Sequence, residues 1–180
     1  MTMINIDLNS VSSVRSAVKQ LKQYKKDLAR KCETVVSRLS EIGIETAKLN
    51  CGEYGSAITF SKEITAKNQG GAIGRLVAVG TPAFRIKGGE LITMNPLLMA
   101  EFGSGFEAEV LDDVQGLNVG QGTFPDQTHA FDPRGWWYTD IETGESVHSY
   151  GESPTHPMHS AMMGMLFEID AVFREVFGNG

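Results

Sequence analysis

Between Val14 and Ile42 the apolar residues return at steps of 3, 4 and 7, through Val18, Leu21, Leu28, Cys32, Val35 and Leu39. That spacing places them on one face of a 3.6-residue turn, so the stretch predicts a single amphipathic helix. Only Lys25 interrupts the series, with Tyr24 beside it. There is no proline, the first glycine is Gly43, and Asn9, Ser10, Ser12 and Ser13 offer acceptors for the first turn. The expected helix has about 28 to 36 residues and is roughly 42 to 54 Å long. Arg15, Lys19, Lys22, Lys26, Arg30 and Glu33 take the other face, which reads as solvated charge. A helix of this length in a chain of 180 residues needs a partner surface, which a neighbouring subunit can provide.

The remaining segments are shorter. Residues 3–8 alternate and read as a short strand. Cys51-Gly52-Glu53-Tyr54-Gly55 ends the helical region. Residues 56–67 alternate Ile58, Phe60 and Ile64 with polar positions, and 73–80 is a more continuously apolar run. With the turn at 68–71 they predict an antiparallel hairpin that Pro82 ends. A short helix is expected from Pro96, where proline suits the first turn, to Gly103, which stops it. Residues 104–134 carry no period and hold several glycines and prolines, so they read as a loop longer than compact domains usually contain. Residues 135–140 predict a third strand and 146–150 a fourth, before a last helix over 157–177 that Gly178 stops. The expected architecture is one α+β domain over 1–180. In it a long N-terminal and a C-terminal helix pack on a small, mainly antiparallel sheet, with an extended loop at 104–134.

Composition narrows the function classes. The net charge of −6 argues against a surface that grips nucleic acid by charge alone, although DNA can slide past acidic walls. The two cysteines, Cys32 and Cys51, form no C-x-x-C pair and suit a reducing compartment. The N-terminus lacks a signal-peptide pattern, and no run approaches the roughly 20 apolar residues of a membrane span. The expectation is a chain made in the cytoplasm that does not contact a membrane.

Three of the four histidines, His148, His156 and His159, lie within 148–161, which raises a metal site. His129, Asp126 and Asp132 are further candidate ligands, but Pro157 interrupts the His156–His159 pair and no H-E-x-x-H pattern exists. There is no G-x-S-x-G, and the glycines of NQGGAIGR lack the lysine of a phosphate loop. Trp136, Trp137 and Tyr138 suit stacking on bases or sugars as well as core and subunit packing. No residue is assigned to catalysis, to a metal or to a cofactor.

Three features taken together resemble a family. A Gly52-to-Ile58 break and strand follow the long helix. Ala100-Glu101-Phe102-Gly103-Ser104-Gly105 looks like an A/V-E-F-G-T-G signature. Gly135-Trp136-Trp137-Tyr138, then Gly151, Pro154, Pro157, Met158 and Ala161, look like G-W-x-Y followed by G-x-P-x-x-P-F/M-x-x-A. This order resembles the tail-completion proteins of long-tailed bacteriophages and prophages. They are also called head–tail joining or minor tail components, and lambda's tail protein Z is a distant relative. The resemblance runs over roughly residues 10–177. Ser104 stands where threonine is usual, one residue is added between Gly151 and Pro154, Met158 stands where phenylalanine is common, and the 104–134 loop is long.

The resemblance implies a non-catalytic structural protein of the virion neck, assembled in the host cytoplasm. It would form a ring, expected as a hexamer, between a head-side connector or stopper and the tail tube or tail terminator, with genomic DNA passing through. Two other readings stay open: another phage connector ring, and a metal-dependent hydrolase using the His and Asp residues of 126–159. By residue type, Phe102 would anchor in the core, Gly103 would allow a sharp turn, Pro154 and Pro157 would stiffen the path into the last helix, and Met158 would pack under the sheet.

Overall fold

The computed structural model describes residues 7, 10–67, 70–87, 90–107, 132–139 and 143–178. Helix α1 (Val11–Leu49) is followed by a 3-10 turn (Gly52–Ala57), strands β1 (Ile58–Lys67), β2 (Gly71–Gly80), β3 (Ala83–Lys87) and β4 (Glu90–Met94), and helix α2 (Pro96–Phe102). Strands β5 (Ser104–Gly105), β6 (Trp136–Thr139), β7 (Ser146–Ser149) and β8 (Gly151–Glu152) then lead to helix α3 (Pro157–Phe177). This is the expected α+β fold, with its long N-terminal helix, its C-terminal helix and small antiparallel strand pairs. The strands pair two by two, as β1–β2, β3–β4, β5–β8 and β6–β7, rather than in one sheet. Among the described residues no helix is long and apolar enough to cross a membrane.

Two compact units emerge, one of Met1–Gly43, Lys62–Val77 and Gly164–Gly180, the other of Ile44–Ser61 and Ala78–Met163. In the first, α1 runs beside β2 and α3. A side chain at Gly43 would meet Leu76 Cδ1 at 2.8 Å and Met165 Sδ at 2.9 Å, so the helix keeps a glycine there despite its poor helix propensity. The helix therefore continues through Gly43 and reaches 39 residues, longer than expected. Lys62 bridges to Glu41 and donates to Ser37 Oγ at 2.8 Å, and Arg38 pairs with Glu175. These pairs are solvent-facing and contribute little to stability. Contact with Lys62 also holds the Glu41 carboxyl below its usual range.

Only part of the apolar face of α1 is covered. Val35 is buried, whereas Val11, Val14, Val18, Leu21 and Tyr24 are exposed, Leu21 by 52%. On α3 Val172 is buried, but Leu166, Phe167, Ile169 and Phe173 are exposed, Phe167 by 85%.

The second unit has its core around Cys51, Ile58 and Ala100, with Tyr54, Phe60, Ala78 and Leu97 packed against them. Met99 and Phe102 are buried on the same short helix, α2. Thr81 N donates to the Ala57 carbonyl at 2.8 Å, carrying the backbone from the first hairpin into the next.

Three sequence expectations need correction or completion. The hairpin β3–β4, with Phe84 opposite Thr93 and Ile86 opposite Leu91, was not anticipated, although Gly88-Gly89 between two alternating runs is a hairpin signal. The loop expected at 104–134 begins as a strand, because Ser104 pairs with Glu152 and Gly105 with Gly151. A two-residue strand is too short to show a period, which is why it read as loop. Residues 108–131 of that segment lie outside the described residues, as does the strand expected at 3–8 apart from Asp7, which is in neither helix nor strand.

Candidate functional site at the joint between α2 and α3

Helix α2 is seven residues long and depends on its ends. Asn95 caps it, its side-chain oxygen accepting from Leu97 N at 3.1 Å and Leu98 N at 3.4 Å, while Pro96 fills the first position where no N–H is needed. The helix stops at Gly103, whose φ of 64° is the left-handed conformation that side chains resist. A side chain there would also meet Pro154 Cδ at 2.8 Å and crowd the Glu152 carbonyl. The chain can then enter β5 against β8. On the facing strand Gly151 has a φ of 112°, and a Cβ would run into the carbonyl oxygen of Ser104. Buried Ser104 turns its Oγ to accept from Glu152 N at 3.2 Å. A hydroxyl at this position is therefore used, which accounts for serine serving where threonine was expected.

Beyond β8 the backbone folds onto the end of α2. Thr155 N and His156 N both donate to the Ala100 carbonyl, at 2.8 and 3.0 Å, satisfying one of the last carbonyls of the short helix. His156 then takes a φ of 49°, rare for a residue with a side chain, and α3 starts at buried Pro157. The first turn of α3 has N–H groups that helical bonding cannot satisfy, and Glu101 meets them. Its carboxylate accepts from Met158 N at 2.7 Å and from His159 N at 3.1 Å. Glu101 is only 8% exposed, so an anion held inside α2 caps the positive end of α3.

Around this cap lie three further polar side chains, those of Tyr54, Glu152 and Cys51. Tyr54 donates its hydroxyl to the Glu152 carboxylate. Burial, and then the nearby Glu53 charge, push the Glu152 carboxyl above its ordinary value. The buried Cys51 thiol points at the Ala47 carbonyl at 3.1 Å and is pushed up by burial and by Glu101.

Most of the motif residues meet here. Glu101, Phe102, Gly103, Gly151, Pro154, Pro157 and Ala161 belong to the joint, with Phe102 and Ala161 buried and Met158 half-buried on the first turn of α3. Gly135, Trp136, Trp137 and Tyr138 belong instead to the hairpin β6–β7, where Trp137 pairs with His148 and Tyr138 with Val147. Trp137 is 69% exposed, and its ring lies 4.6 Å from that of His148, which lies 4.4 Å from that of Tyr150. Hairpin and joint are continuous through Tyr150, whose carbonyl accepts from Phe106 N at 2.6 Å.

The joint's polar groups hold backbone. Both Glu101 oxygens are occupied by amide donors. Among the described residues no three His, Cys, Asp or Glu side chains come together as a metal site would require, and the rings of His156 and His159 are 6.4 Å apart. Asp132 holds Arg134 at 2.9 Å. Asp126 and His129 lie outside the described residues. The sequence reading missed the role of Glu101. The available signal was a helix beginning at proline with histidine before it, a start that brings no Ser, Thr, Asp or Asn to cap it. No family model, curated protein or solved structure matches this chain.

Proposed function

We propose that this protein is a structural component of the neck of a long-tailed phage or prophage particle. It forms a ring that joins the head-side connector to the tail and lets DNA pass. The observation that carries the reading is the joint itself. The residues that make up the tail-completion resemblance, Glu101-Phe102-Gly103 and Gly151 through Ala161, are far apart in sequence yet interlock through the Glu101 cap and the β5–β8 pair. In the fold they form one connected bracket, which supports reading them as a set. A bracket built from backbone contacts suits a part that transmits position between rings. The exposed apolar faces of α1 and α3 suit a chain that works with copies of itself.

The test is genetic and structural. Deleting the gene in the phage or prophage that carries it should leave filled heads and finished tails that do not join, and expression in trans should restore joined particles. Cryo-electron microscopy of those particles should show the protein as a ring at the neck. Normal joining without the gene would refute the reading. A ring at another level of the connector would favour a tail terminator or head-completion role.

A further inference from the structure

Helix α1 carries an unbroken 3-4 alternation: Val11, Val14, Val18, Leu21, Lys25 and Leu28, continuing through Cys32, Val35, Leu39 and Ile42. This is the spacing of a seam that packs along another helix. Within the first unit α3 supplies that helix for the later half. Met165 stands at Gly43, Glu175 pairs with Arg38, and the ammonium of Lys31 lies 5.4 Å over the ring of Phe177. The two helices therefore run antiparallel, and α3 ends at Phe177, level with Lys31. Among the described residues no other helix covers the stem of α1 before that level, residues 11–28, although Ala17 within it is buried. Every residue from Val18 to Lys26 is exposed.

On its outer side α3 presents a second bare seam at the same step, Leu166, Ile169 and Phe173, with exposed Asp170 along its edge. The stem is strongly basic and α3 mildly acidic, with Glu168, Asp170 and Glu175 against Arg174, which is exposed one turn beyond Asp170. Residues 11–31 hold seven Lys or Arg against Asp27 alone, a net +6 in a chain of net −6, so the remainder carries −12. Two stems cannot pair with each other comfortably, because Lys25 sits in the seam and Arg15 and Lys22 flank it, all of one sign. A nucleic acid or an anionic membrane would take the charge, but α3 offers the stem both an apolar seam and an acid.

We propose that the stem of one copy lies along the outer face of α3 of the next copy, with Lys25 set against Asp170. Each chain then offers one stem and one receiving face, a head-to-tail contact that closes a ring when the rotation closes. This rests on the self-assembly part of the neck reading and names the surfaces that would make it.

The test uses the full-length protein and sedimentation velocity over a range of concentration. Lys25→Glu and Asp170→Lys should each weaken self-association by about tenfold or more, and the double variant should recover it. Leu21→Glu should abolish it without recovery by any change at 170. Circular dichroism should show all variants folded, since these side chains are exposed. Wild-type oligomers indifferent to all three single changes would overturn this contact while leaving the ring reading standing. A wild-type chain that stays monomeric would overturn it too, and the gene-deletion experiment would then judge the neck reading separately. Unchanged self-association, combined with Lys25→Glu abolishing binding to duplex DNA or to phosphatidylserine vesicles, would also overturn it and assign the stem to that ligand.

Discussion

Replacing Glu101 by alanine should open the joint between α2 and α3 from one end. The carboxylate serves the amides of Met158 and His159, and Pro157 before them has no N–H to share the load. Removing it strands two donors at the start of a helix. A stranded donor costs about 1–3 kcal/mol, and the lost anion at a helix N-terminus adds about 0.3–1 kcal/mol. Both amide bonds are part-buried, so water can recover some of this, and a total of roughly 2–4 kcal/mol is expected. For a chain of this size each kcal/mol shifts Tm by about 2–4 °C, which gives a fall of roughly 5–15 °C. Glu101→Gln keeps one acceptor oxygen but turns an amino group toward the other amide, and should cost about half as much. Thermal unfolding followed by circular dichroism measures the total. Amide hydrogen exchange locates it: Met158 and His159 should lose protection first, whereas Thr155 and His156, whose amides go to the Ala100 carbonyl, should keep theirs. Unchanged exchange at 158 and 159 in Glu101→Ala would refute the capping role, whatever happened to Tm.

Gly151→Ala should destabilise by more than about 2 kcal/mol, because it adds left-handed strain and a clash with the Ser104 carbonyl. Gly144→Ala, at a φ of 70° with open space around it, should cost only about 1 kcal/mol; equal urea midpoints for the two would sink the close-approach argument. The raised Glu152 carboxyl keeps its proton in the folded chain at pH values where the unfolded chain has lost it. Its contribution to stability is thus fully present below the ordinary value of 4.5 and declines as pH rises through the folded value. Glu152→Gln should therefore stabilise the fold at pH 7 relative to wild type and match it near pH 4, a difference that denaturation midpoints across pH will show or exclude. Cys51 is buried with its thiol pushed up, and Cys32 is half-buried. A thiol reagent at pH 8 should modify Cys32 alone in the native protein, and a native Cys32→Ser variant that still reacts fast would contradict this.

Much of the secondary structure could be read along the chain because its signals are local. Pro96 and Gly103 bracket α2, and Pro157 and Gly178 bracket α3, since a ring without an N–H or a residue without a Cβ acts within one turn of itself. The alternation of Ile58 and Phe60 marked β1 for the same reason. The motif residues of the joint could also be picked out as a set, but their work could not. Glu101 looked like the end of a short helix, and Ser104 like the start of a loop.

The amino-acid sequence by itself determined where α2 and α3 begin and end, that the fold is α+β, and that the apolar seam of α1 runs far beyond one small core. Only the tertiary structure decided which half of that seam is covered, because coverage depends on where α3 runs out rather than on the spacing of valines and leucines. It alone brought β5 to β8 and Glu101 to the first turn of α3, 57 residues away. Hydrogen bonds across such separations leave no period in the chain.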